Sequence, residues 1–259
     1  MSRSRPSNRV TSPVKHYFEW KGAKSTGGKL SFYDKERRQE VLFPKLNFVI
    51  LDQLSSITGY CKPKNGGIRG TEVRSTKNEE MTVWIGKDKQ PYTKGLWADL
   101  KGSISGAKFA RVLYIGIVNS NGGPMEIAKF TVAKSAFGAW MNFLGGVEDY
   151  EGNGGVDSRD ASLGFRVTGS LKKVDPQEFY VPKFESYELT PEQVEEANKL
   201  DAQLQEYFDA KNVSKNNDSN QESDNQTSEF DNQTPEFDVE KVVVEEPATT
   251  SEDFDDLPF

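Results

Sequence analysis

The feature that most limits what this chain can fold into is a break in composition near residue 213. From Val213 to Phe259 the sequence is dominated by Asn, Asp, Glu, Gln, Ser and Thr. Such a segment cannot bury enough apolar surface to offset the entropy of ordering its backbone, so any core must be built upstream. The expected organisation is a flexible basic arm over 1–13, one folded domain over 14–183, a linker and amphipathic helix over 184–212, and a disordered acidic tail over 213–259.

The same division separates the charges. The chain carries −7 overall, but residues 1–183 hold 29 basic and 18 acidic side chains, whereas residues 213–259 hold 2 and 14. A body of net +11 joined to a tail of net −12 suits a polyanionic ligand, with the tail kept for another task. One cysteine, Cys61, and one histidine, His16, cannot make a disulfide framework or a Cys/His metal site, and no metal or cofactor is expected. No apolar run follows Arg3, Arg5 and Arg9, and no later run reaches membrane-spanning length. Neither a signal peptide nor a membrane contact is expected, and a cytoplasmic setting is.

Along the body, short extended runs alternate with Gly, Lys, Asn and Pro clusters: Val14–Lys21, Lys29–Lys35, Leu46–Leu51, Ser55–Cys61, Met81–Ile85, Lys108–Val118, Met125–Val132 and Leu163–Val174. Such runs predict strands, and Asn121-Gly122-Gly123 supplies a hairpin turn, since both residue types tolerate positive φ. Lys134–Leu144 places Phe137, Trp140, Met141 and Leu144 at helical spacing. Thr190-Pro191-Glu192-Gln193 opens a second helix, expected to reach about Lys211, with Thr190 as cap and Gln193 closing a capping box. Its stripe of Val194, Ala197, Leu200, Leu204 and Phe208 must be buried against the body, a second subunit or a partner. The fold class is therefore mainly β, and the pattern suits an elaborated oligonucleotide-binding (OB) barrel with one short helix, a C-terminal helix and a tail. An SH3-like or other small barrel would produce much the same pattern.

Alternation sorts the strand faces. Val14, His16, Phe18 and Trp20 share one face of the first strand, with Lys15, Tyr17, Glu19 and Lys21 on the other. The second sets Leu30 and Phe32 against Lys29, Ser31, Tyr33 and Lys35. Met81, Val83 and Ile85 leave Thr82 and Trp84 on the reverse, and the last strand places Phe165, Val167 and Leu171 inside and Arg166, Thr168, Ser170 and Lys172 outside. An aromatic ring on a lysine-flanked polar face is what sequence-tolerant binding of single strands requires, because every base offers a π-face and every nucleotide a phosphate. Tyr17, Tyr33 and Trp84 are the stacking candidates, although most of the 21 aromatics in 1–183 must be core. The loop 62–70 adds Lys62, Lys64 and Arg69, and Arg74, Lys87 and Lys89 extend a possible track for phosphates. A merely solvated loop would look the same.

The most specific motif is Asp253-Phe254-Asp255-Asp256-Leu257-Pro258-Phe259. It resembles the tail tip of bacterial single-stranded DNA-binding proteins, an acidic run closing on Asp-Asp-Ile-Pro-Phe, here with Leu257 in place of Ile. At average residue frequencies such an ending arises only in roughly one chain in 10⁵. The terminal ring and α-carboxylate fit an apolar pocket lined by Arg or Lys, Pro258 limits the entropy lost on binding, and the acids steer the tip to basic partners. The resemblance implies recruitment of replication and repair proteins such as primase, helicase, polymerase or nuclease. Upstream, Asn225–Asp231 and Asn232–Asp238 form a tandem heptad whose Glu-Phe-Asp echoes the tip. The stretches GGKLSFYDKE, FVILDQLSSITGY, GIRGTEVR and ARVLYIGI, spanning 27–117, are similar in order to those of tailed-phage single-strand-binding proteins, which implies a bacteriophage origin, a bacterial host cytoplasm and a part in DNA replication, recombination and repair.

Enzymatic readings lack their residues, so no catalytic group and no small-molecule substrate is expected. Gly22–Lys29 has phosphate-loop ingredients, but Lys29 precedes Leu30 and the spacing is one residue too long. Glu148, Asp149, Glu151, Asp157 and Asp160 crowd a Gly-rich loop without a strand to present two of them beside a lysine. Two binding alternatives stay open: a recombination mediator or annealing protein, and a decoy that imitates the tail to sequester host repair enzymes. The tail is also expected to compete with DNA for the basic body, so that deleting 213–259 tightens binding at low salt.

Overall fold

A computed structural model describes residues 11–34, 37–119, 122–145, 156–158, 160–174 and 177–218. Within these, the first three strands are β1 His16–Lys21, β2 Lys29–Asp34 and β3 Gln39–Phe43, followed by the long β4 Lys45–Cys61. An insertion then supplies β5 Gly66–Gly70, β6 Met81–Ile85, β7 Thr93–Gly95 and the one-turn helix α1 Trp97–Leu100. The body resumes with β8 Ala107–Ile117, β9 Glu126–Ala133, α2 Ser135–Phe143, β10 Leu163–Val174 and β11 Gln177–Glu188, and α3 Pro191–Asp218 closes the described chain. The strands form one open, mixed sheet in the order β3-β2-β1-β9-β8-β4-β5-β6-β7, with β10 branching from β4 and carrying β11. The fold is mainly β, as the alternation predicts.

β4 is the spine. It pairs with β8 from Phe48–Ile117 to Gly59–Ala107, with β10 through Lys45–Phe48, and with β5 through Thr58–Cys61. Two separate strands are expected over 46–51 and 55–61; they are one, because a register shift between Ile50 and Asp52 absorbs an extra residue and the ladder continues beyond it. Such a bulge bends a strand, which lets β4 serve two partners on the same edge. At the far end Gly59 and Gly106 approach so closely that a Cβ on Gly59 would lie 2.1 Å from the Gly106 carbonyl oxygen, and one on Gly106 2.1 Å from that of Tyr60. Both have positive φ, and no other residue fits that crossing.

Three apolar layers follow from the faces. Phe18, Leu30, Phe48, Leu113, Ile115, Phe130, Phe165 and Val167 form the main core, into which α2 inserts Trp140 at 4.9 Å from the Phe184 ring. Ile57, Cys61, Ile68, Met81, Val83 and Ile85 form a second core under the insertion. On the opposite face of β4, β8 and β9, α3 buries Ala197 and Leu204 against Val49, Leu54, Val112, Tyr114 and Ile127. The stripe of α3 therefore packs on its own body. Its start is the expected box: the Gln193 side chain accepts from the Thr190 N–H at 3.0 Å, and the Gln193 N–H donates to Thr190 Oγ1 at 3.3 Å.

Other differences have clear causes. Residues 184–188, expected in the linker, belong to β11, whose Phe184 is buried in the main core. β5 and β7 lack a run of β-formers strong enough to stand out alone and are strands because neighbours complete their ladders, whereas β3 and β11 carry such runs, Val41–Phe43 and Phe179–Val181, that the sequence reading passed over. The helix α3 extends to Asp218 rather than Lys211. The Tyr180 N–H donates to the Gly22 carbonyl at 2.8 Å and the Trp20 indole to the Tyr180 carbonyl at 3.2 Å, so β11 reaches the end of β1. No helix among the described residues is long and apolar enough to cross a membrane.

Candidate nucleic-acid interface

The insertion between β4 and β8 has two unlike faces. Met81, Val83 and Ile85 of β6 and Ile68 of β5 point into the second core, so the pleat turns Trp84 and Arg69 to the other side. Register then aligns four residues in a row: Lys108 of β8 opposes Thr58 of β4, Thr58 opposes Arg69, and Arg69 opposes Trp84. The next row sets Tyr60, 51% exposed, opposite Gly67. Past the end of β6 the chain returns through Tyr92, 44% exposed, whose N–H donates to the Val83 carbonyl at 2.7 Å.

Several contacts lash the surrounding loops into one surface. Lys62–Lys64 is a 3-10 turn ended by Asn65 at φ 50, and the Tyr60 hydroxyl bonds to Asn65 Oδ1. Lys64 Nζ lies 4.4 Å from the centre of the Tyr92 ring. The Arg69 guanidinium donates to the Asp88 carbonyl at 3.3 Å. Lys87, Lys89 and Lys108 are exposed around this surface. Of the nearby acids, Glu80 is matched by Lys94 at 2.6 Å. Rings ringed by cations on one sheet face can stack bases and neutralise phosphates together.

Of the residues singled out by sequence, Trp84, Lys62, Lys64, Arg69, Lys87 and Lys89 are gathered here. Tyr17, Tyr33, Lys15, Lys21 and Lys29 form a separate cluster on β1 and β2. Tyr17 is 48% and Tyr33 38% exposed, but the charges beside them are mixed: Lys15 meets Glu126 at 2.7 Å, and Lys21 meets Glu40 at 3.3 Å. The hydrogen bond from Lys15 outweighs partial burial and, with His16 adding to it, holds the Glu126 carboxyl below its usual range.

Arg74 is engaged elsewhere, donating to both oxygens of Asp52 at 3.0 and 2.7 Å and lying near Gln205 and the Phe208 ring of α3. Arg166 donates to Asn47 at 3.1 Å and faces Glu185, and Lys172 is exposed near the far end of β10. Lys35 and the tip Asp253–Phe259 lie outside the described residues, as do Asn121, the tandem heptad, the first ten residues of the basic arm, and Glu148, Asp149 and Glu151.

Sequence reading passed over Tyr60, Tyr92 and Lys108. Tyr60 and Lys108 could have been found by alternation within their own strands. Tyr92 lies outside every expected strand. Between the two clusters, Lys129 and Tyr114 both bond to Glu72, Tyr114 at 2.5 Å. Burial there raises the Tyr114 hydroxyl. Among the described residues no group of three His, Cys, Asp or Glu side chains converges to hold a metal ion.

No family model, no curated protein and no solved structure matches the chain.

Proposed function

We propose that this protein binds single-stranded DNA without sequence preference through the outer face of the β4–β8 insertion, protecting it during replication, recombination or repair. The observation that carries the reading is the cross-strand row Lys108–Thr58–Arg69–Trp84 with Tyr60 and Tyr92 beside it. Bases stack on the rings and Lys or Arg side chains neutralise phosphates. The body charge of +11 favours a polyanion and disfavours a decoy that avoids DNA.

An OB-like assignment of the strands is in keeping with the same reading. The pairings of β4, β8, β9, β10 and β11, with α2 between β9 and β10, supply five strands and a helix in an OB-like order, with β1 set parallel against β9. In that assignment the insertion is the connection between the first and second strands, and the end bearing Lys172 is the connection between the fourth and fifth. These are the connections OB domains use for oligonucleotides. The β8–β9 face, which OB domains also use, lies under α3, which favours the insertion as the platform. The motif Asp253–Phe259 then recruits replication or repair proteins, in the cytoplasm of a bacterial host if the chain is of phage origin.

The test is a titration against fluorescent poly(dT) and a duplex of equal length at two salt concentrations. Tight, salt-sensitive binding to the single strand alone is expected. Binding to neither would overturn the reading and leave the acidic tip as the functional element of a decoy; binding to the duplex as tightly would point to general polyanion affinity.

A further inference from the structure

The interior of β5 contains a glycine that packing does not require. Gly66 has a reason to be glycine: a Cβ there would lie 2.7 Å from the Gly86 nitrogen, on the buried side. Gly67 has none. A Cβ at Gly67 would meet nothing within 4 Å, and its φ lies outside the positive range that favours glycine. It is nonetheless paired on both sides, opposite Tyr60 of β4 and accepting the Gly86 N–H at 2.8 Å. Glycine weakens a strand interior, and where nothing in the fold demands it, it often marks close approach of a ligand to the backbone.

The space above Gly67 has defined walls. Tyr60 stands on one side with its hydroxyl tied to Asn65. Arg69, two residues along the same face, stands on the other with Trp84 as its cross-strand neighbour. A side chain at Gly67 would stand on this face, between Tyr60 across the ladder and Arg69 along the strand.

We propose that Gly67 is the floor of a nucleobase subsite, in which one base of the single strand lies over the bare backbone, stacked on Tyr60, with its phosphate on Arg69. The proposal rests on the single-strand reading and adds a position at which the strand is read by contact with the main chain. A planar base suits the site because the floor is bare backbone, the wall is a π-face and the adjoining charge is positive.

The full-length protein and its Gly67→Val and Tyr60→Leu variants would be titrated with an oligo(dT) carrying 2-aminopurine, alongside thermal melts. Valine is a strand former and its Cβ meets nothing at that position, so the melting temperature of Gly67→Val is expected to hold or rise. Both variants are expected to lose about tenfold or more in affinity, together with most of the 2-aminopurine quenching seen with the parent. Parent-like affinity and quenching in Gly67→Val would overturn the subsite while leaving single-strand binding intact. Should Gly67→Val melt early, Tyr60→Leu decides: retained quenching there overturns the proposal. A parent protein that binds no single strand removes the underlying reading first, and the subsite with it.

Discussion

Arg69 and Trp84 are direct cross-strand partners on the outer face of β5 and β6, and the guanidinium is steadied by the Asp88 carbonyl at 3.3 Å. One ladder thus sets a flat ring beside a cation, the two groups a nucleotide needs. Trp84→Ala is expected to weaken oligo(dT) binding by roughly 5- to 100-fold, since stacking contributes about 1–3 kcal/mol per base, while Trp84→Phe keeps most of the affinity. Fluorescence anisotropy reads both; an alanine variant that binds like the parent would place the interface elsewhere.

The cations of the insertion and of the adjoining β8 should declare themselves in the salt dependence. Replacing Lys89 or Lys108 by alanine is expected to reduce the slope of log affinity against log salt by about 0.7 each, the contribution of one phosphate contact on a single strand. Lys15→Ala, which removes the partner of Glu126, is expected to leave the slope as it was. Equal effects from all three would show diffuse attraction to the whole body in place of a track on the insertion.

Leu204 is fully buried between α3 and the β4–β8 face. Truncating it to alanine is expected to cost about 2–5 kcal/mol, the range for large-to-small changes in a core. Leu171, expected inside, is instead 43% exposed because it lies beyond the stretch Phe165–Thr168 in which β10 pairs with β4, and Leu171→Ala is expected to stay within about 0.5 kcal/mol of the parent. Denaturant unfolding distinguishes them, and a mild effect at Leu204 would mean that α3 is weakly seated.

Glu72 gives the fold a sensitivity to acid. Burial alone would raise its carboxyl, but the Lys129 charge and hydrogen bonds from Lys129 and Tyr114 outweigh it and hold the group below its ordinary 4.5. A carboxyl depressed in the folded state contributes stability above its unfolded value and loses it as pH falls through the folded value. Stability is therefore expected to drop below about pH 4.5. Glu72→Gln is expected to be less stable at pH 7, because Lys129 loses its ionic partner, and to show a shallower decline at low pH. Parallel curves for the two proteins would remove Glu72 as a source of the acid sensitivity.

Much of the fold is legible in single strands. The alternation of Met81–Ile85 picks out its buried side chains, that of β1 sets buried Phe18 against exposed Tyr17 and Glu19, and Thr190 with Gln193 marks the start of α3. β5 is not legible, because three glycines in Gly66–Gly70 read as a loop and only pairing with β4 and β6 makes it a strand. For the same reason Lys62, Lys64 and Arg69 look like a solvated turn when they flank a sheet. Arg74 reads as one more cation of that loop, yet Asp52, 22 residues upstream, accepts two of its hydrogen bonds.

The sequence by itself determined what local chemistry can determine: the apolar face of strands such as β6 and the start of α3 at Thr190. Tertiary structure alone decided which exposed residues share a surface. β1 lies parallel to β9, more than 100 residues away, and α3 covers the β8–β9 face, so Tyr17 and Trp84 end in different clusters although their strands have the same pattern. The physical reason is that alternation records burial along one strand, whereas neighbourhood depends on long-range pairing and on the apolar faces that must meet to leave water. Neither is encoded in the spacing of residues within a segment.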